Sequence, residues 1–180
     1  MATWIALLRG INVSGKNILP MAELRRELEG LGFEDVRTYI QSGNVVFRSG
    51  ARSAAKLADT IAGAVGESHG FRAPVLVLSA AELASAQRQN PFPKVSAEKA
   101  LHFLFLFEKP RRPDLDALNE LASGKEEFRL AGRVFYLHAP DGIGRSKLAA
   151  RAEKLLGVEA TARNLRTVRK LAELVAEVSR

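Results

Sequence analysis

Val36-Arg37-Thr38-Tyr39-Ile40-Gln41 and Asn44-Val45-Val46-Phe47-Arg48, joined by Ser42-Gly43, decide the fold. Both runs are rich in β-branched and aromatic residues, and the Ser-Gly pair between them predicts a tight hairpin. Working outward, Met21, Leu24, Leu28 and Leu31 recur at helical spacing before Gly32, a residue suited to ending a helix. Residues 3–9 form an apolar strand ahead of a long loop and that helix. Beyond the hairpin, residues 53–68 place Leu57, Ile61, Ala64 and Val65 on one helical face, and residues 74–78 form another apolar strand. The order is β-α-β-β-α-β.

A short helix over residues 80–88 follows, then Gln89-Asn90-Pro91-Phe92-Pro93-Lys94, whose two prolines mark a link. The order then restarts. Residues 101–107 read as a strand, 113–122 as a helix with Leu115, Leu118 and Leu121, and 127–131 pairs with 133–138 around Gly132. Residues 147–156 read as a helix, 158–161 as a short strand and 165–178 as a closing helix. Ser42-Gly43-Asn44-Val45-Val46-Phe47 even lies over Ala131-Gly132-Arg133-Val134-Phe135-Tyr136. The expected class is α+β: two tandem ferredoxin-like βαββαβ units with an extra C-terminal helix. Residues 1–90 form the first half and 91–180 the second, within one compact unit.

Strand patterning adds a constraint. Leu101, Phe103, Phe105 and Phe107 point one way and Leu104 and Leu106 the other, so this strand needs cover on both faces. Helices cover one face of a ferredoxin-like sheet. The second must meet the other half, a partner chain as in a homodimer, or an apolar ligand.

With 47% hydrophobic and 26% charged residues, the 180-residue chain has enough apolar material for a core and is not a disordered polymer. No basic leader precedes the first apolar run and no run reaches the ~18 residues of a membrane span, so the expectation is a cytoplasmic protein without membrane contact. The absence of cysteine excludes disulfides, thiol catalysis and thiolate metal sites. Net charge is +7, concentrated in residues 143–170, where eight Arg or Lys stand against Glu153 and Glu159. That excess reads either as an anion-binding face or as two solvated basic helices.

Gly10-Ile11-Asn12-Val13-Ser14-Gly15-Lys16-Asn17, directly after the first strand, nearly matches the phosphate-cradling pattern G-x-x-x-x-G-K-[ST]. Asn17 replaces the metal-binding hydroxyl, and the loop continues to Pro20 before a helix can start. The spacing therefore denies the helix amino terminus that a P-loop needs. A looser anion contact through Lys16 and the glycine amides remains, beside a purely structural glycine loop. Asp141-Gly142-Ile143-Gly144-Arg145-Ser146-Lys147-Leu148 is a second glycine-bearing turn, with Ser146 placed as a helix cap and Arg145 and Lys147 able to attract an anion. Thr161-Ala162-Arg163-Asn164-Leu165-Arg166-Thr167 repeats the theme, with Asn164 as cap and Arg163 and Arg166 three apart. In the hairpin, Gln41 and Asn44 offer amides to a polar ligand, although turn chemistry alone accounts for Ser, Gly and Asn there.

His69, His102 and His138 lack metal-ligand spacing, and neither H-E-x-x-H nor G-x-S-x-G occurs. His102 and His138 read as polar positions on strands. No catalytic constellation, metal site or organic cofactor is implied. The element order also fits an RNA-recognition module, but Phe47, Phe135 and Tyr136 come without its basic-glycine-aromatic signature, so RNA contact would fall to the basic helices.

Leu8-Arg9-Gly10-Ile11-Asn12-Val13-Ser14-Gly15-Lys16-Asn17, Met21-Ala22-Glu23-Leu24 and Thr38 to Phe47, with Asn90-Pro91-Phe92, Asp141 to Leu148 and Thr161 to Thr167, resemble an uncharacterised bacterial family, domain of unknown function 1697. The likeness extends along nearly the whole chain. Family members typically carry glycine where this chain has Ser14. The resemblance implies duplicated ferredoxin-like halves and no activity, and it marks these polar strings as family motifs.

The leading expectation is a binding module for a small anionic, phosphate-bearing ligand. Arg9, Lys16, Arg145, Lys147, Arg163 and Arg166 would hold it, and Asn12, Asn17, Gln41 and Asn44 would read its polar groups. The alternatives are nucleic-acid binding by the basic C-terminal helices, a phosphoryl- or nucleotidyl-transfer enzyme, and an oligomeric scaffold.

Overall fold

In the computed structural model, which describes residues 1–180, the deciding hairpin is β2 (Glu34–Tyr39) and β3 (Asn44–Ser49), closed at the Tyr39–Asn44 pair. Its turn has four residues, 40–43, and not the two expected. Ile40 and Gly43 both adopt left-handed backbone, at φ +48° and +75°. The Asn44 side chain holds the turn by donating to the Tyr39 carbonyl at 3.1 Å and the Ser42 hydroxyl at 2.9 Å.

β1 (Ala2–Leu8) runs antiparallel between β3 and β4 (Val75–Ser79), giving the sheet order β2-β3-β1-β4. Two helices cover one face. α1 (Met21–Gly30) starts after Pro20, and α2 (Ala54–His69) is capped by Ser53 and stopped by Gly70 in left-handed conformation. Leu24, Leu28, Leu57, Ile61 and Val65 form a core with Trp4, Ala6, Leu8, Val45 and Phe47, and Phe33 stacks on Phe47 at 4.6 Å. Ile5, Leu7, Val46, Leu76 and Leu78, on the opposite face, are buried as well. A strand apolar on both sides is thus withdrawn from water on both, as its pattern requires. Ser79 and Glu82 form a reciprocal capping box for α3 (Ala80–Arg88), with bonds of 2.8 and 3.2 Å.

The second sheet comprises β5 (Leu101–Leu106), β6 (Glu127–Ala131), β7 (Val134–His138) and β8 (Ala160–Asn164), in the order β6-β7-β5-β8. α4 (Leu115–Leu121) and α5 (Lys147–Leu156) pack Leu118, Leu148, Ala152 and Leu156 against Leu104, Leu106, Phe135 and Leu137. β8 lies two to three residues beyond the expected 158–161. Apolar patterning missed it because its inward residues are polar: Thr161 and Arg163 are both buried. α6 (Leu165–Val178) follows, with the Thr167 N–H capped by Asn164 at 3.0 Å.

The fold is therefore mixed α and β, with two four-stranded antiparallel sheets and six helices. It divides into two compact units. Unit 1 is Met1–Ser85 with Arg169–Arg180, and unit 2 is Ala86–Val168, the boundaries falling within α3 and α6. No helix is long and apolar enough to cross a membrane.

Candidate functional site

The loop between β1 and α1 is built by its own asparagines. Its backbone is left-handed at Gly10, Asn12, Ser14, Gly15 and Asn17. The Asn12 amide donates to the Leu19 carbonyl at 2.9 Å and the Gln41 carbonyl at 2.7 Å, and its oxygen accepts from the Leu19 N–H at 2.8 Å. Both amide hydrogens are thereby used. Asn17 donates to the Gly10 carbonyl at 2.9 Å, and the Asn12 N–H reaches the Asn17 carbonyl at 3.0 Å. A tight bridge between Val13 and Lys16 forms the tip.

The hairpin turn locks against this loop. A Cβ at Gly43 would lie 2.6 Å from the Leu8 Cβ and 2.9 Å from the Ile11 Cδ1, and the Leu8 N–H donates to the Gly43 carbonyl at 2.9 Å. Asn12, Asn17 and Asn44 therefore serve as braces, and Asn44 is fully buried. Lys16, Asn17 and Gln41 are the exposed members of the predicted set here, with Arg9 and Asn12 half-buried. Three apolar side chains are also exposed on these loops: Val13, Ile18 and Ile40. Because α1 begins only at Met21, no helix terminus abuts Lys16.

In unit 2, Arg145 ends a 3-10 turn and Lys147 opens α5, both exposed, while the Ser146 hydroxyl accepts from the Ala149 N–H at 3.0 Å. Arg166 is exposed in the first turn of α6. Arg163 is different. Its Nη1 donates to the Thr161 hydroxyl at 2.8 Å and the Ala162 carbonyl at 2.9 Å, and burial pulls its pKa down to about 10, so it stays charged at neutral pH. It works inside the fold. Unit 1 thus carries Arg9, Asn12, Lys16, Asn17, Gln41 and Asn44, and unit 2 carries Arg145, Lys147, Arg163 and Arg166.

No group of three or more His, Asp or Glu side chains is arranged to hold a metal ion. A cavity of about 690 Å³ opens in unit 2 against residues 91–97, Glu127 and His138, none of them among the ten predicted. His138 reads from sequence only as a polar strand position. Its signal was the Pro-Phe-Pro segment, which the same reading treated as a link.

The chain matches the family model described as protein of unknown function (DUF1697) over residues 1–136. The strings at 141–148 and 161–167 lie outside that match, which is therefore shorter than the near-complete likeness expected. Among solved structures it is similar to the conserved bacterial protein SP0830 from Streptococcus pneumoniae, with 26% identity and a TM-score of 0.71 over 97% of this chain and 98% of that one. No curated protein matches. With well over half of its length matched by the model, the chain belongs to the DUF1697 family.

Proposed function

We propose that the protein is a binding module for a small anionic, phosphate-bearing ligand, built on two tandem ferredoxin-like units. The two matching sheet orders support the architectural part of this reading. The observation that carries the functional part is the loop of residues 10–17, whose asparagines bond inward and leave Lys16 exposed beside the exposed Ser14 and Gly15 peptides. Successive peptides in turn and left-handed conformations suit an anion, and an ammonium group supplies the opposite charge. Arg9 and Gln41 flank it in this reading, while Arg145, Lys147 and Arg166 are cations of unit 2, of which Arg145 and Lys147 stand at the start of α5. Asn12, Asn17 and Asn44 support the loop and its neighbouring turn from within, and Arg163 is buried in unit 2.

Thermal denaturation with pyrophosphate, AMP and ribose 5-phosphate, at low and moderate salt, tests this. The expected result is a rise in melting temperature that Lys16→Ala removes. No rise with any phosphate, or an equal rise in Lys16→Ala, overturns it.

A second reading, nucleic-acid binding, is favoured by one feature of α5. Lys147, Arg151 and Lys154 are exposed at i, i+4 and i+7 while Leu148, Ala152 and Leu156 are buried, so the helix presents a cationic stripe. Binding of a short RNA duplex should then weaken linearly in log salt, with a slope reduced by about 2–3 in the triple alanine variant.

A further inference from the structure

The unit 2 cavity, at about 690 Å³, falls within the roughly 300–1,000 Å³ of small-molecule pockets. One wall is the strap of residues 91–97. The other is Glu127 on β6 and His138 on β7, which lie opposite each other across the strand pair.

The strap is held for local reasons. Pro91 and Pro93 have fixed φ and no N–H to offer a sheet. The Asn90 side chain accepts from the Phe92 N–H at 3.0 Å, and the Phe92 carbonyl accepts from the Val95 N–H at 3.2 Å. Three residues beyond the strap the Ala100 carbonyl accepts from the Ala139 N–H at 2.8 Å, and Leu101 pairs with His138. The chain that leaves the strap is thus anchored to the strand that carries the imidazole.

Phe92 lies 6.2 Å from the His138 ring at a tilt of 40°, so the two rings flank the cavity without stacking. The prolines, Val95 and Ala97 add apolar surface. His138 Nδ1 is buried without a hydrogen-bond partner, 3.9 Å from Glu127 Oε2. That is too long for a hydrogen bond; in the neutral tautomer that turns its N–H toward the carboxylate, Nε2 is an acceptor. Lys94 and Glu127 also line the cavity and their charges cancel, so it lacks the positive excess of the chain as a whole.

We infer that this cavity is a second binding site, separate from the anion loops, for a small neutral flat ring bearing an N–H or O–H donor. The ring lies against Phe92 and the prolines, and its donor meets Nε2 of His138. Aromatic and proline surfaces favour a flat apolar body, and the acceptor sets its orientation.

The test is an NMR titration of the full chain with indole and benzamide as probes, following the histidine ring resonances, with benzoate and cyclohexanol as controls. Indole should bind with a Kd on the order of 1 mM, as expected for so few atoms, and shift the His138 resonances. Benzoate and cyclohexanol should bind about tenfold more weakly or not at all. His138→Phe and Phe92→Ala should each reduce indole affinity about fivefold or more. Glu127→Gln changes an exposed carboxylate and should leave the fold intact while weakening binding severalfold, which keeps the test decisive if His138→Phe unfolds. Lys16→Ala should leave indole binding unchanged, so the two sites fail separately. Unmoved His138 resonances at ten times the expected Kd, equal binding of benzoate, or undiminished binding in Glu127→Gln would overturn the inference.

Discussion

Ser14 and Ile40 sit in left-handed backbone at φ +50° and +48°, where an L side chain costs about 1–2 kcal/mol. Glycine removes that cost and returns part of it as unfolded-state entropy. Ser14→Gly should therefore stabilise unit 1 by about 0.5–1 kcal/mol in urea titrations, and Ile40→Gly by more, since a β-branched residue tolerates this region least. Ile40 is half exposed, so burial does not account for its presence. Asn12→Ala should do the opposite, costing about 1–3 kcal/mol by orphaning main-chain groups of Leu19 and Gln41. That Asn12 and Asn17 matter was legible in the sequence as polar residues on a glycine-rich loop. That they bond inward was not, because Asn12 reaches the main chain of residue 41, 29 positions away. Lys16 is exposed, whereas Arg163 is buried and bonded to Thr161 and Ala162.

Elements with strong local signals match their expected ranges closely. α5 and α6 begin where their caps, Ser146 and Asn164, stand, and Ser146→Ala should lower stability by about 1 kcal/mol through loss of the Ala149 N–H bond. β8 was misread because buried Thr161 and Arg163 break the apolar pattern that marks a strand. The hairpin turn was misread because side-chain bonds from Asn44 stabilise four residues where Ser-Gly alone suggests two. On β5, burial holds the pKa of His102 below its ordinary value, against a smaller raising effect of the Ala100 backbone. The unfolded chain then takes up a proton near pH 6.5 before the folded chain does. Stability should be full above that pH and fall as pH drops below it, levelling once the folded ring also protonates. Denaturation between pH 5 and 8 should show this component in the native protein and its loss in His102→Phe. An unchanged slope in that variant would exclude His102 as the cause.

At the scale of the molecule, the β-α-β-β-α-β order was readable twice over, because hydrophobic period and turn residues agree in most elements. The assignment of the last helix was not readable. Residues 169–180 belong to unit 1, where Leu171, Leu174 and Val178 are buried and Ser179 shares a hydrogen bond with Thr3 at 2.9 Å. A local pattern shows that a helix has an apolar face, not which sheet receives it. Since the two ends of the chain meet at Thr3 and Ser179, a circular permutant joined there by a short glycine linker and opened at exposed Gly124 should keep its circular dichroism and melt within a few degrees of the parent. Deleting residues 169–180 should instead unfold unit 1. Order of synthesis follows from the same membership. A ribosome delivers every residue of unit 2 before it delivers the last of unit 1, so a released chain ending at residue 168 should hold a finished second unit and an unfinished first one, inverting the usual sequence in which amino-terminal domains mature earliest.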